Sequence, residues 1–239
     1  MKNILIPTTL QSDTLSAVKS AIFQASTKDC TILLMMTTEA PDTYSASQYL
    51  REMRIGLTPN QEEVLETCRY IASIHPNCTL KIHNQSGLSS LIFKGIIEFY
   101  EIKLVVFPHS YRQETQKIHQ YLVQLATNHK CPILNLGNIE CEGNFNKALY
   151  IENNTTKTVE NIQQFLNEHF PLEIVSQTSN FQDNYEDMST YLNEAISKHS
   201  IDMLVQTRKN QKIKFNKARK EDFNDKLGLP VLSLYEEAV

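Results

Sequence analysis

Tryptophan is absent from this chain and glycine is scarce, with six residues among 239 and none between Gly95 and Gly137. Glycine is the residue that lets backbone approach a ligand closely or turn through positive φ, so a glycine-rich phosphate loop is excluded from that stretch. The five cysteines, Cys30, Cys68, Cys78, Cys131 and Cys141, are odd in number and contain no C-x-x-C pair. Neither a disulfide framework nor a zinc knuckle is indicated, and all five read as reduced structural residues. No apolar run approaches the roughly 18 to 20 residues that cross a bilayer. The start of the chain passes from Met1, Lys2 and Asn3 into a strand-like ILIP without a signal-peptide layout, so the expectation is a cytoplasmic protein with no membrane partner. A formal charge of −4 is too mild to imply an acidic or basic partner.

What the chain does have is an internal echo. IEFYEIKLVVFPHS followed by KCPILNL is matched, about a hundred residues later, by ISKHSIDMLVQTRK followed by GLPVLSL. Upstream, LKIHNQSG at 80–87 resembles LEIVSQTS at 172–179, and KNILIPTT resembles NKALYIEN at 146–153. The offsets are unequal, which makes the second copy the shorter. The shrinkage falls between its first strand and Leu172, where the first copy has one more strand, a loop and a helix. The predicted domains are residues 1–140 and 145–239, with the join at Gly137 to Asn144.

In the first copy, short β-rich apolar runs at Ile4 to Pro7, Thr31 to Met36, Thr79 to His83, Lys103 to Phe107 and Pro132 to Leu136 alternate with helical stretches. The helices are predicted at Thr14 to Ser26, Gln61 to Ser73, Leu88 to Tyr100 and Thr115 to His129. Leu15, Val18, Ala21, Ile22 and Ala25, and later Ile118, Tyr121, Leu122, Leu125 and Ala126, recur at three and four residues, which gives each helix one core face. Asp13 and Ser89 or Ser90 are candidate amino-terminal caps. The second copy predicts strands at Ala148 to Ile151, Glu173 to Gln177, Met203 to Val205 and Val231 to Leu234, with helices at Val159 to Phe170 and Tyr185 to His199. Strands apolar on both faces and alternating with helices indicate parallel sheets covered on both sides.

The opening KNILIPTT, the pattern GLSSLIFKGIIEFYEIKLVVFPHS and the closing KCPILNL, in this order of elements, resemble the universal stress protein family. The resemblance covers residues 1 to about 137 well and 146 to 236 weakly. It implies two tandem Rossmann-like α/β units, the second shortened, and a role in stress response. It also implies pairing through the closing strands, here Pro132 to Leu136 and Val231 to Leu234, as an internal pseudo-dimer with further homo-oligomerisation open. Nucleotide-binding members of the family carry an acidic residue after the first strand and a loop G-x2-G-x9-G-[ST] after the fourth. Those positions fall here on Thr9 (Asn153 in the second copy), on Pro108 and Tyr111, and near His119 to Tyr121. Side chains where glycines are needed cost roughly 1 to 2 kcal/mol each in the left-handed region and obstruct a phosphate. The first copy therefore reads as a member without ATP binding and without a cofactor.

Three functions of different class are open to such a chain. The leading one is a non-enzymatic stress-response or regulatory protein acting through an unidentified protein partner. The second is a nucleotide or phospholigand sensor using the cleft lined by Pro7, Thr8, Thr9, Met36, Pro108, His109 and Ser110. The third is a nucleic-acid-associated module using the basic run Arg208, Lys209, Lys212, Lys214, Lys217, Arg219 and Lys220, which stands where the second copy's phosphate loop would lie. The bland alternative for that run is a solvated surface, and the acidic chain gains little long-range attraction for nucleic acid. Catalytic signatures are lacking. His75, His83, His109, His119, His129, His169 and His199 form no metal spacing, Ser110 has no G-x-S-x-G elbow, and Cys131 before Pro132 reads as packing. No metal site or enzyme is expected. The long connector Thr38 to Asn60, with Tyr44, Tyr49, Leu50, Met53, Ile55 and Leu57, is either a lid on the sheet edge or a partner-facing segment.

Overall fold

The computed structural model describes residues 3–25, 29–40, 56–138, 144–152, 157–179, 192, 194–209 and 227–238. The connector residues Tyr44, Tyr49, Leu50, Met53 and Ile55 lie outside them. Packing divides the chain into two compact units, Met1–Leu125 and Ala126–Val239.

In the first unit the elements run β1 (Asn3–Pro7), α1 (Thr14–Ala25), β2 (Cys30–Thr38), α2 (Pro59–Ser73), β3 (Cys78–Ser86), α3 (Ser90–Phe99), β4 (Ile102–Phe107), the short α4 (His109–Gln113) and most of α5 (Lys117–Asn128), whose last three residues belong to the second unit. The strand order is β3-β2-β1-β4 with every pair parallel. All five residues of β1 are buried, as a parallel strand covered on both faces requires. β3, which among the described residues pairs only with β2, has an alternating, half-exposed pattern instead. Thr58 caps α2 by accepting from the Gln61 amide, Gln61 returns to the Thr58 amide, and Pro59 sits at the first turn where its missing N–H costs nothing. Ser89 caps α3, accepting from Ile92 N at 3.2 Å. The chain moves outward from β1 to β3 and then returns to β4 on the far side of β1. This reversal puts the switch point of the strand order at the carboxyl ends of β1 and β4, the place where open α/β sheets bind ligands.

The second unit contains β5 (Ile133–Asn135), β6 (Lys147–Glu152), α6 (Val159–His169), β7 (Glu173–Ser179), β8 (Met203–Arg208) and β9 (Val231–Tyr235), with residues 194–199 helical. Its strand order is β5-β9-β8-β6-β7. β6, β7, β8 and β9 run parallel, while β5 and β9, the two predicted closing strands, pair antiparallel with Leu134 opposite Leu232. That pairing is what groups β5 with the second unit. Just beyond it, a Cβ on Gly137 would stand 1.8 Å from the Gly228 carbonyl oxygen, so only glycine allows the two backbones to meet. Leu149, Ile151, Leu192, Ala195, Ile201, Leu204 and Val231 form a core on one face. By sequence β7 resembles β3, yet it bonds directly to β6 as β2 does to β1. β6 is flanked on both sides, by β7 and β8, as β1 is by β2 and β4.

Candidate functional site

The loops that follow β1 and β4 meet at the switch point of the first unit. Thr8 fixes the first loop: its backbone N–H donates to Met35 O at 2.9 Å, and its buried hydroxyl accepts from Leu10 N at 2.8 Å and lies 2.8 Å from the Thr14 hydroxyl. Leu10 is held in the left-handed region at φ 58°, a conformation that a branched side chain adopts only when its surroundings enforce it. Asp13, expected to cap α1, instead reaches across to the other loop. Its carboxylate accepts from Ser110 N at 2.7 Å and from Ser110 Oγ at 2.6 Å. Thr9 Oγ1 donates to Glu114 at 3.1 Å, and Gln61 Nε2 donates to the Thr9 carbonyl at 3.1 Å. Both loops are thus tied to each other and to the start of α2 by the protein's own polar groups.

The second loop is short. Pro108 is followed at once by α4, which turns Tyr111 inward. Tyr111 is only 1% exposed, and its ring stacks on Phe107 with centroids 5.9 Å apart. Its hydroxyl lies 3.0 Å from His119 Nδ1 and 3.2 Å from Thr37 Oγ1, and those two are 3.1 Å from each other. The three side chains form a closed hydrogen-bonded triangle. His119 is 4% exposed, with its ring edge-on to Tyr111 at 5.0 Å. Burial raises the Tyr111 phenol above its ordinary value, with Thr37 opposing and Glu114 adding to the rise. Burial lowers the His119 imidazole, against the pull of Glu114 and Glu39. A neutral His119 and a protonated Tyr111 satisfy each other without charge, which is what a dry site favours.

Of the cleft residues singled out in the sequence, Pro7 ends β1, Met36 lies near the end of β2, and Pro108, His109 and Ser110 open α4. Ser110 joins the first loop through Asp13, whereas His109 Nδ1 lies 3.5 Å from Arg112 Nη2. Thr37, Asp13 and Glu114 carry no sequence signal for this site, and Tyr111 only that of a missing glycine. In the basic run, Arg208 directs its donors at backbone carbonyls: Nε to Thr127 at 3.1 Å, Nη2 to His129 at 3.0 Å and to Cys131, and Nη1 to Ser233. Lys209 pairs with Glu236 at 3.3 Å. Lys212, Lys214, Lys217, Arg219 and Lys220 lie outside the described residues. Among the described residues no group of three or more His, Cys, Asp or Glu is placed to hold a metal, and no helix is long and apolar enough to cross a membrane.

The sequence matches no protein-family profile and no curated protein. Solved structures do match. A universal stress protein from Archaeoglobus fulgidus DSM 4304 superposes with a TM-score of 0.53 at 8% identity, over 98% of this chain and 96% of that one. A functionally unknown protein from Pseudomonas aeruginosa PAO1 gives 0.48 at 13% identity over 100% and 94% of the two chains. A universal stress protein in complex with cAMP gives 0.40 at 12% identity, over 58% of this chain and 98% of that one. The chain has an α/β fold of universal-stress-protein type with mostly parallel strands.

Proposed function

We propose that this chain is a non-enzymatic regulatory protein of universal-stress-protein type that does not bind ATP in its first cleft and acts through contacts with other proteins. The observation that carries the reading is Tyr111, which the resemblance sets at the second glycine of the family's phosphate loop and whose ring is buried against Phe107, the last residue of β4. Asp13 supports it: a carboxylate bonded twice to Ser110 closes the mouth between the two loops and places negative charge where phosphates would approach. Internal pairing of the two copies belongs to the same proposal, with the β5 and β9 register in its favour.

The test is a thermal-shift titration of the purified chain with ATP, ADP, AMP and cyclic dinucleotides, with and without magnesium, and mass spectrometry of anything carried through purification. No shift and no retained ligand is expected. A saturating shift with one nucleotide would overturn the reading and make the cleft a sensor site, since a ligand at a hundredfold its Kd stabilises by about 2.7 kcal/mol.

A further inference from the structure

Helix α3 has two apolar sides, one buried and one exposed. Phe93, Ile96 and Ile97 are buried against the first unit, while Leu91 is 80% exposed, Phe99 79% and Ile92 40%. Leu91, Gly95 and Phe99 follow one another at four-residue steps and so form a single outward stripe. Gly95 at its centre is unusual. Glycine weakens a helix interior, and a Cβ built on Gly95 meets nothing within 4 Å, so the chain itself gains nothing from the missing methyl. A surface approaching from outside does gain from it. Lys94 and Glu98 lie beside the stripe, exposed and 3.6 Å apart.

We propose that this stripe is the contact surface for a second copy of the chain, with two α3 helices packed antiparallel across a two-fold axis at Gly95. Such an axis sets Leu91 of each copy on Phe99 of the other, lets the backbones close at Gly95, and brings Lys94 of each towards Glu98 of the other. The same surface serves both partners, as an isologous contact demands, and its charges are complementary to themselves. A pair of short helices buries less than the roughly 800 Å² per partner of stable complexes, so the association is weak and concentration-dependent. It is independent of whether the cleft binds nucleotide.

Sedimentation equilibrium across a concentration series tests it, with thermal unfolding of each variant as the folding control. Wild type should show a concentration-dependent dimer that Phe99→Glu and Leu91→Glu abolish without loss of the fold. Gly95→Ala separates this idea from a purely internal role: it should raise Tm by about 2 to 4 °C while weakening self-association, because alanine favours the helix but holds the partners apart. Lys94→Glu or Glu98→Lys alone should weaken the dimer, and the two together should restore it. A wild-type chain that stays monomeric throughout, a Gly95→Ala variant with unchanged self-association, or a double charge reversal without rescue would each overturn the proposal.

Discussion

Replacing Arg208 by methionine should be among the most damaging single changes to the second unit. The guanidinium donates to the carbonyls of Thr127, His129, Cys131 and Ser233. Thr127 lies in the last turn of α5 and His129 just past it, where helix carbonyls lack intrahelical partners and the dipole favours a cation. Burial brings the Arg208 pKa down to about 10, which still leaves it charged at neutral pH. Each net charge-assisted hydrogen bond contributes about 1.5 to 3 kcal/mol, and bonds sharing one side chain do not add. Methionine matches the stem and removes every donor, so the expected loss is about 3 to 5 kcal/mol. Lysine keeps the charge but not the planar fork, and should lose about half as much. Urea unfolding, with amide exchange in β8 and β9, reads both. A loss below about 1 kcal/mol for Arg208→Met would refute the view that this residue fastens the end of α5 to β9.

Other outcomes rest on the same geometry. Tyr111→Phe leaves Thr37 and His119 bonded to each other, so it should cost only about 1 kcal/mol, whereas Tyr111→Ala should cost about 3 to 5 kcal/mol by opening a cavity under Phe107; equal losses would mean that the ring does not fill the site. The His119 pKa is lower folded than unfolded, so its contribution to stability is complete above the unfolded value near 6.5 and is lost as pH falls towards the folded one. His119→Gln should flatten that part of the stability–pH profile, and an unchanged slope would assign it to other groups. Cys68 is buried with its thiol pKa raised to about 11, so a disulfide reagent at pH 8 should reach it only after unfolding. Gly137→Ala should destabilise the β5–β9 junction by roughly 1 to 3 kcal/mol, measured by the same urea titration, because the backbone facing it must move.

The elements are legible in the sequence because their signals are local. Continuous apolar runs mark β1, β2 and β4, and three- and four-residue spacing marks α1 and α5, so these elements fall within a few residues of expectation, whereas most of the first half of the predicted Tyr185 to His199 helix lies outside the described residues. Of the predicted closing strands, Ile133 to Asn135 pairs antiparallel with Val231 to Ser233. The interior of the site is legible only in part. The family resemblance sets Tyr111 at a glycine position, but that it stacks on Phe107 and closes a triangle with Thr37 and His119 depends on packing between residues up to 82 apart. Asp13 has the residue type of a cap, and its bond to Ser110 spans 97 residues. Arg208 has the context of an anion-binding run, yet its partners lie 25 to 81 residues away. Local pattern assigns a residue to an element, whereas what its polar end meets is fixed by topology.

The proposal that the first cleft takes no ATP is tested most directly by equilibrium dialysis of labelled ATP and magnesium against the concentrated, ligand-free chain. A protein whose Tyr111 ring is buried against Phe107 should leave the nucleotide equally distributed at every concentration. Saturable retention approaching one ATP per chain, displaced by unlabelled ATP and lost on disturbing the loop from Pro108 to Tyr111, would contradict the account.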